Sequence, residues 1–434
     1  MATTSLPRTS NRSAVIAALL SGADVDRQRL IADTGLSRAT VFRIVDDLMA
    51  ESLALEGSRV LREGPGRQST SVSFNHRSAL VCGVDLGGTN CRVVVADALG
   101  RAVIRSRDTT PRDATADELA AWVAGKVADL VSRHGDGVPL HTVTIGLPGV
   151  VTGDGRSVVA SHNLGQIKGT GFIEKVSELL GVETAVGNDS NLALRGELQY
   201  GSLPDRETAV LLAMGTGLGS AVSIDGQVLL SRTGLLGEFG RLPLPGREER
   251  LRDLLSGADL VAYARGRGVH VPTARALFAD PEAYATVLAE VHGALAHLVT
   301  VVALAYEPGT VVLTGGFSES FDTARLTAIS DQVADTVGVH SVVRRSDLGD
   351  SAGLLGSMAT SLGRLYDSLG VRAEDAASVA VDRDLIVRRL AECPTAPTAP
   401  ATPTEPTAPT AASGTTDEHD TAPHTRHDEQ MAEG

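Results

Sequence analysis

Three glycine-rich turns, each following a short apolar strand, constrain the fold of residues 79–365 more than any other feature. The first lies in GVDLGGTNCRVVVAD, residues 83–97, the second in VLLAMGTGLGSAV, residues 210–222, and the third in TVVLTGGFS, residues 310–318. Glycine at a turn lets backbone N–H groups approach phosphate oxygens closely. An ordinary turn explains any one of these segments alone. Three at wide spacing favour two lobes that clamp a nucleotide in a cleft.

The chain around these turns alternates Val-rich strands with amphipathic helices, a pattern typical of an α/β domain. Asp85, at the end of the first strand, is placed to hold Mg²⁺ through water. Thr89 adds a hydroxyl donor, and Arg92 can brace the site. Residues 372–392 predict one last helix after this body.

A candidate catalytic carboxylate lies between the first two turns, in VGNDSNLALRGE. Asp189 follows an apolar strand and precedes a helix beginning near Ser190, so it could take a proton from a substrate hydroxyl. Asn163 and Asn188 could hydrogen-bond sugar hydroxyls. Asp189 could equally be a helix N-cap, and without further context the cap is the better explanation.

The first 76 residues have a different pattern, with apolar residues at helical spacing, which predicts a helix-turn-helix. Apolar residues at 15–20 mark a first helix, and residues 30–32 mark a short second one. Gly35 can take positive φ in the following turn, and Ser37 suits the N-cap of a third helix. The side chains predicted to pack inward from that helix are Val41, Ile44, Val45 and Leu48.

The outer face of the third helix carries the predicted DNA contacts, near its N-terminus where recognition helices touch bases. Residues 53–74 predict a two-stranded wing, whose tip with Gly64 and Gly66 could reach a minor groove or phosphates. The predicted DNA-binding residues are Ser37, Arg38, Thr40, Arg43 and Arg67. A helical bundle used only for packing or dimerisation is the alternative, but the short second helix, the turn and the wing together favour DNA binding.

The net charge of −14 argues against nucleic-acid binding until its distribution is considered. From residue 392 onward the chain has eight acidic residues and one arginine, so about half of the excess lies in the tail. Residues 1–76 hold nine arginines and eight acidic residues. A nearly neutral head can bind DNA if its arginines share one face, because phosphate contacts are local.

Composition also bears on compartment and on order. The three cysteines, Cys82, Cys91 and Cys393, exclude a disulfide framework and suit a reducing cytosol. We expect no apolar run long enough to span a bilayer, no signal peptide and a cytoplasmic location. The tail, residues 393–434, is rich in Pro, Thr and acidic residues, which predicts disorder.

At this point the sequence resembles the ROK family, named for bacterial repressors, open reading frames and sugar kinases. The matching pieces occur in family order from about residue 80 to 360: DLGGTNCR, GLPGVV, HNLG, GNDSNLA, MGTGLGSAV, GLLGEFG, VVLTGGFS and LGDSAGLLGS. The head resembles the winged helix-turn-helix of the repressor branch. The resemblance implies a two-lobed actin-like fold, related to ribonuclease H, with a sugar-kinase type of ATP cleft.

The resemblance also implies roles for individual residues. Asp189 matches the catalytic base if kinase activity is retained, and MgATP would then be the cofactor. The implied phosphate-binding residues are Asp85, Gly87, Gly88, Thr89, Gly215, Thr216, Gly217, Gly315 and Gly316. The implied sugar-binding residues are Asn163, Asn188, Asp189, Glu238 and Arg241.

The sequence departs from the family where most members have a zinc loop. Family members usually continue from Gly-Glu-x-Gly-His into a cysteine-rich loop, but here Arg241 occupies the histidine position and no cysteine is near. Structural zinc needs several thiolate or imidazole ligands, so we predict no structural zinc and no resident metal, and Mg²⁺ would be present only with ATP. Arg241 could favour an anionic or phosphorylated ligand, but a simple ion pair with Glu238, three residues away, is favoured.

These features predict a winged helix-turn-helix over residues 1–76 and a first lobe over 79–190, completed by about 352–392. The second lobe is predicted over 191–351. The favoured function is a sugar-responsive transcriptional repressor that binds an inverted-repeat operator as a homodimer or homotetramer. An ATP-dependent sugar kinase is the alternative, and a body that only dimerises is a third possibility.

Overall fold

The computed structural model describes residues 6–60, 69–161, 163–204, 206–231, 235–376 and 382–396. The helices are α1 Leu6–Leu19, α2 Arg27–Thr34, α3 Arg38–Ala50, α4 Ala116–His134, α5 Gly171–Leu180, α6 Asp189–Tyr200, α7 Leu251–Leu255, α8 Gly257–Gly266, α9 Ala274–Ala279, α10 Ala285–Tyr306, α11 Thr323–Val337, α12 Ala352–Ser368, α13 Ala373–Ala376 and α14 Arg383–Glu392. The strands are β1 Val25–Asp26, β2 Ala54–Val60, β3 Ser69–Phe74, β4 Leu80–Leu86, β5 Asn90–Asp97, β6 Ala102–Thr109, β7 Leu140–Leu147, β8 Val150–Val151, β9 Val158–Ala160, β10 Glu183–Asn188, β11 Ala209–Met214, β12 Leu218–Ile224, β13 Gln227–Val228, β14 Thr310–Thr314 and β15 Val342–Arg345. This is an α/β fold with a helical head.

The helix-turn-helix in the head is confirmed, and local chemistry explains its geometry. Gly35 ends α2 with φ +66°, a left-handed conformation that favours glycine. Ser37 caps α3, because its side chain accepts a hydrogen bond from Thr40 N at 3.2 Å. The predicted inward face of α3 is buried at Val41, Ile44, Val45 and Leu48.

The wing is present and contains one strand more than predicted. β2 and β3 pair antiparallel, and the short β1 adds to the other side of β3, giving the sheet order β1-β3-β2. The predicted wing tip, with Gly64, Gly66 and Arg67, lies outside the described residues.

The first lobe is built on a five-stranded sheet in the order β10-β7-β4-β5-β6. Successive residues of its strands face opposite sides. Cys82 and Val84 pack with α4 and α5, whereas Val81 and Val94 pack with α12 and the head. Since both faces are covered by helices, the central strands are apolar almost throughout.

The second lobe repeats this plan with the sheet order β13-β12-β11-β14-β15. Its longest helix, α10, corrects one expectation from the sequence. By length and composition, α10 alone among the described helices could cross a membrane, so the expectation that no apolar run is long enough was wrong. In the fold, side chains along α10 pack into the core of this lobe, and a buried core helix passes the same test of length and hydropathy.

The head and the first lobe share one hydrophobic core. Val15 and Leu48 of the head belong to the same buried cluster as Val94 and Leu365 of the body. Polar contacts reinforce this packing, since the fully buried Ser13 donates to Asp375 Oδ2 at 2.5 Å. The head is therefore packed directly on the first lobe.

The prediction of one continuous helix over residues 372–392 is wrong. The structure has two helices, α13 and α14, and the residues between them at 377–381 lie outside the described part. Asp382 takes non-helical backbone and its side chain accepts from Leu385 N at 2.9 Å. An aspartate in this position begins a helix rather than continuing one.

The start of the predicted tail pairs with the first lobe. Arg105 N of β6 donates to Pro394 O at 3.1 Å, and Ala396 N donates to Arg105 O at 2.8 Å. Residues 394–396 therefore extend the edge of the sheet. The rest of the predicted tail, residues 397–434, lies outside the described residues, and our prediction about its order is untested.

Candidate functional site

The first glycine turn joins β4 to β5 and touches a residue from the predicted sugar side. Gly87 N donates to Asn90 O at 2.9 Å and closes the turn. A Cβ atom added at Gly88 would lie 2.9 Å from the Cβ of Asn163. Glycine is therefore required for this close approach, and the turn and Asn163 are immediate neighbours.

Arg112 is a cation at this turn that sequence reasoning missed. Its Nε donates to Gly88 O, and its Nη2 donates to Thr89 Oγ1 at 3.1 Å. No motif marks Arg112, because it lies 24 positions along the chain from Gly88 and only the folded sheet brings them together. Its position beside the turn would favour an anionic ligand group.

Arg92 connects Asp85 to a carboxylate from the other end of the body. It lies opposite Asp85 in the β4–β5 register, with Nη1 at 3.3 Å from Asp85 Oδ2. The same guanidinium reaches Asp350, with Nη2 at 2.8 Å from Oδ2 and Nη1 at 2.7 Å from the backbone oxygen. Asp350 lies in LGDSAGLLGS, which we had matched to the family without giving this residue a role.

Burial makes Asp85 an unusual carboxylate. Its side chain is 23% exposed, and burial raises its pKa to about 6. Attraction to Arg92 opposes this rise, whereas repulsion from Asp189 and Asp350 adds to it. The charged form is therefore held at a cost in stability, which is common in ligand sites.

We expect Asp85→Asn to raise stability above pH 6 by about 2 kcal/mol. Because the folded pKa of Asp85 is raised, the folded chain holds a proton that the unfolded chain has released between about pH 4 and pH 6. Stability of the natural chain therefore falls as pH rises through this window, and asparagine removes that fall. Thermal denaturation from pH 4 to 8 measures the effect.

The exposed Asp113→Asn is the charge-matched control for this change. It should leave the pH profile of stability close to that of the natural chain. A gain from Asp85→Asn that is as large at pH 4 as at pH 7.5 would contradict the electrostatic cause.

The structure assigns the helix cap to Asn188 rather than to Asp189. Asn188 Oδ1 accepts from Asn191 N at 3.0 Å, and its Nδ2 donates to Gly149 O at 2.8 Å. Asp189 is instead the first residue of α6. The structural explanation that we preferred for Asp189 is thus wrong, and its carboxylate needs another account.

Asp189 lies close enough to Asp85 to raise the pKa of that carboxyl, and one of its own oxygens is engaged locally. Its Oδ1 accepts from Ser190 N at 2.7 Å and from Ser190 Oγ at 3.2 Å. Burial raises the pKa of Asp189, the Ser190 hydrogen bonds oppose the rise, and repulsion from Glu238 adds to it. A partly buried carboxylate with a raised pKa is suited to accepting a proton or a sugar hydroxyl.

Glu238 and Arg241 form the ion pair that was favoured from sequence. Arg241 Nε lies 3.2 Å from Glu238 Oε2, and both side chains are about half exposed. Both charges face solvent, so the pair is a surface ion pair and not a pair of buried charges. An exposed pair is worth about 0–1 kcal/mol, so a ligand could displace it at little cost.

The segment that stands in place of the family's zinc loop has none of the usual ligands of a structural zinc. Residues 237–257 contain no cysteine or histidine. Throughout the described part of the chain, no group of three or more His, Cys, Asp or Glu side chains is arranged to hold a metal ion. The absence of zinc stays a prediction.

The second and third glycine turns lie side by side. Gly215 N donates to Gly217 O at 3.0 Å in the second turn. Gly315 has φ +87°, and a Cβ there would lie 2.6 Å from Met214 O. Only glycine allows the third turn to approach the second this closely.

A cavity of about 420 Å³ extends from the third turn to Asp350. It lies beyond the carboxyl ends of β14 and β15, where open α/β sheets bind ligands. Gly315 and Asp350 both line it, and Asp350 also holds Arg92. Since Arg92 also contacts Asp85 beside the first turn, these contacts connect the third turn to the first. Gly215 of the second turn lies against Gly315 of the third.

The predicted DNA-binding residues of α3 differ in how far they are already engaged. Arg38 is exposed, whereas Arg43 pairs with Asp47 at 3.3 Å on the helix surface. Ser37 is used as the cap, and its Oγ lies 2.9 Å from Thr40 Oγ1. Arg67 lies outside the described residues. No DNA contact is tested by these positions.

Known proteins resemble this chain in sequence over part of its length. A 33% identical stretch of 164 residues, 38% of this chain, matches 52% of an N-acetyl-D-glucosamine kinase of Pectobacterium atrosepticum. The xylose repressor of Bacillus subtilis is 22% identical over 239 residues, 54% of this chain and 60% of that protein. The chain thus spans between about half and three-fifths of the length of these curated relatives.

Solved structures extend the likeness to the fold. A ROK family transcriptional regulator, described as a homologue of the Escherichia coli MLC protein, aligns over 86% of this chain and 99% of its own, with a TM-score of 0.68 and 17% identity. A ROK hexokinase from Thermus thermophilus aligns over 66% of this chain and 99% of its own, with a TM-score of 0.57 and 25% identity. The family model described as ROK family matches residues 81–363. With the glycine turns, Asp189 and the two-lobed fold in place, this match establishes that the chain belongs to the ROK family.

Proposed function

We propose that this chain is a cytoplasmic, carbohydrate-responsive transcriptional repressor. The head binds an inverted-repeat operator as part of a homodimer or homotetramer, and the cleft binds a sugar or a sugar-derived metabolite. The observation that carries this proposal is a winged helix-turn-helix that shares a hydrophobic core with a ROK body. The fold of the regulator aligns over 86% of this chain, against 66% for the hexokinase.

The ligand side of the proposal rests on residues at two places, the first glycine turn and Asp189. Asn163 adjoins the first turn, and Glu238 is close enough to influence the pKa of Asp189. These carboxylate and amide groups suit the hydroxyls of a sugar, which both donate and accept hydrogen bonds. Arg241 replaces the usual histidine and would release Glu238 when a ligand enters.

Transmission from cleft to operator follows from the shared core. An effector that binds one lobe arrangement more tightly shifts the population toward it. Because the head packs on the first lobe, a change in the angle between lobes changes the spacing of two heads in a dimer. Operator half-sites lie about one helical turn apart, so altered spacing weakens binding.

The direct test uses fluorescence anisotropy with a duplex from the chain's own promoter region. We expect tight binding at low salt that is weakened by one sugar of a panel holding glucose, xylose and N-acetylglucosamine. Xylose and N-acetylglucosamine are chosen because they appear in the names of the two similar proteins, and glucose is included as an unsubstituted hexose. Absence of specific binding at low salt, with and without every sugar, would overturn the repressor function.

Removing the carboxylate beside Arg43 is expected to tighten DNA binding. Asp47→Asn frees the Arg43 guanidinium and deletes a negative charge from the recognition helix. Since an exposed pair contributes about 0–1 kcal/mol and each phosphate contact adds affinity, we expect a gain of about threefold to tenfold. Titration at two salt concentrations measures both the affinity and its salt dependence.

Asp33→Asn provides a control with the same change of charge. Asp33 forms an equivalent i,i+4 pair with Arg29, on α2 rather than on α3. Its substitution should change affinity by less than about twofold, as expected of general charge alone. Equal gains from both variants would remove the special role of Arg43.

An ATP-dependent sugar kinase is the second candidate, favoured by the raised pKa of Asp189. The turns fit a nucleotide, since a Cβ at Gly215, Gly217 or Gly316 would meet no atom within 4 Å, leaving open space. Bound MgATP would supply the phosphoryl group. Asp85 and the turns would hold it, and Asp189 would accept the proton of the sugar hydroxyl.

A coupled kinase assay with the same sugar panel separates the two functions. Turnover that disappears in Asp189→Asn, with unchanged thermal stability, would establish the enzyme. No turnover together with a sugar-dependent change in operator affinity would favour a regulator whose body keeps only the ligand site.

A further inference from the structure

Phe42 is an aromatic side chain on α3 that the hydrophobic core does not use. The core takes Val41, Ile44, Val45 and Leu48 from this helix, but Phe42 is only partly buried and lies outside that cluster. It lies one turn after Arg38, so it shares the face of the helix that carries this predicted DNA contact. Packing in the hydrophobic core therefore does not explain its position.

Two arginines fix the Phe42 ring in place. The Cζ atom of Arg38, at the start of α3, lies 5.0 Å from the ring centroid, and that of Arg27, at the start of α2, lies 5.2 Å from it. A guanidinium over an aromatic face contributes about 0.5–1 kcal/mol at an exposed site. The ring thus joins the two helices of the helix-turn-helix.

The two arginines differ in how they are neutralised. Arg27 is largely buried and pairs with Asp46 at 2.9 Å and with Glu56 at 3.9 Å. Arg38 has no carboxylate within ion-pair distance among the described residues of the head. Arg27 is therefore held in the protein and positions the ring, whereas the charge of Arg38 remains available to DNA.

We infer that Phe42 contacts the methyl group of a thymine in the major groove and so determines sequence specificity at that base pair. The inference rests on the proposed DNA-binding function. Thymine is the one base that presents a methyl group there, and apolar side chains such as phenylalanine recognise it. A ring already in contact with Arg27 meets that methyl with less loss of conformational freedom than a free side chain would.

The test begins with selection of duplexes by the full chain from a randomised library. We expect a palindromic motif with a thymine at one fixed position of each half-site. Each thymine is then replaced in turn by deoxyuridine, which removes only the methyl group. At that position the natural chain should lose about fourfold in affinity per half-site, as expected for burying one methyl, whereas the other thymines serve as controls.

Phe42→Ala supplies the protein side of the comparison. This variant should bind thymine and deoxyuridine duplexes equally. Phe42→Leu should keep part of the discrimination, since it keeps an apolar contact. Arg27→Gln tests whether Arg27 positions the Phe42 ring. We expect this variant to have a lower ratio of affinity for the thymine duplex to affinity for the deoxyuridine duplex, even if its thermal stability matches that of the natural chain.

The outcomes separate this inference from the function beneath it. If the natural chain enriches no motif, the DNA-binding function fails. If it enriches a motif but is indifferent to deoxyuridine at every thymine, Phe42 serves only to join the helices and the inference is overturned. The same holds if Phe42→Ala retains full discrimination between thymine and deoxyuridine.

Discussion

Gly356→Ala is expected to destabilise the chain by about 3 kcal/mol or more. Gly356 lies in α12, where a Cβ atom would be 1.7 Å from the backbone oxygen of Leu192 in α6. Gly196 makes the reciprocal approach, since a Cβ there would lie 2.3 Å from Ala352 O. Neither partner is a flexible side chain, so the two helix backbones must separate.

Separating α6 from α12 would also disturb the candidate ligand site, because both helices begin there. α6 begins with Asp189, and Gly353 at the start of α12 lies 3.8 Å, measured from its added Cβ, from the Asp85 carboxylate. We therefore expect Gly356→Ala to weaken effector binding in addition to lowering the melting temperature. Thermal denaturation followed by circular dichroism measures the change in melting temperature without any ligand.

Gly363→Ala is the matched control in the same helix. A Cβ at Gly363 would meet only Arg195 Nη2, at 4.0 Å. Alanine in an open helical position is expected to stabilise by about 0.5–1 kcal/mol. If both alanine variants melt at the same temperature, the close packing of α6 on α12 is wrong.

Local signals were sufficient to predict the head. A serine cap, a left-handed glycine and apolar residues at helical spacing are each decided within a few positions, and Ser37, Gly35 and Val41 behave as predicted. The glycine turns were predictable for the same reason, since each follows its own strand. Local periodicity did not reveal the third wing strand, because β1 has only two residues.

Contacts between distant parts of the chain were not predictable from local pattern. Arg92 and Asp350 are 258 positions apart, and no spacing rule joins them. Asn188 and Asp189 are both good capping residues, and only the backbone geometry assigns the cap to Asn188. The same limit explains α10, whose apolar sequence suits a buried core helix as well as a membrane span.

Arg38→Ala is expected to produce the largest loss of operator affinity among single substitutions in the head. Arg38 is exposed at the first position of α3, and its guanidinium is oriented by the Phe42 ring. An arginine that donates both nitrogens to guanine contributes about 1–3 kcal/mol of discrimination. In a dimer the substitution acts on both half-sites, so the loss should be about a hundredfold or more. Competition titration against the selected operator measures it.

Arg29→Ala isolates this effect from a general loss of positive charge. Arg29 lies on α2 and is already paired with Asp33 at 2.8 Å, so its removal should reduce affinity by less than about threefold. The two variants should also differ in how the loss of affinity depends on DNA sequence. Loss of a base contact weakens binding only to the cognate sequence, whereas loss of a phosphate contact weakens binding to every sequence. Arg38→Ala should therefore lower the ratio of specific to non-specific affinity. A uniform loss on all duplexes would make Arg38 a phosphate contact and would move sequence reading elsewhere on α3.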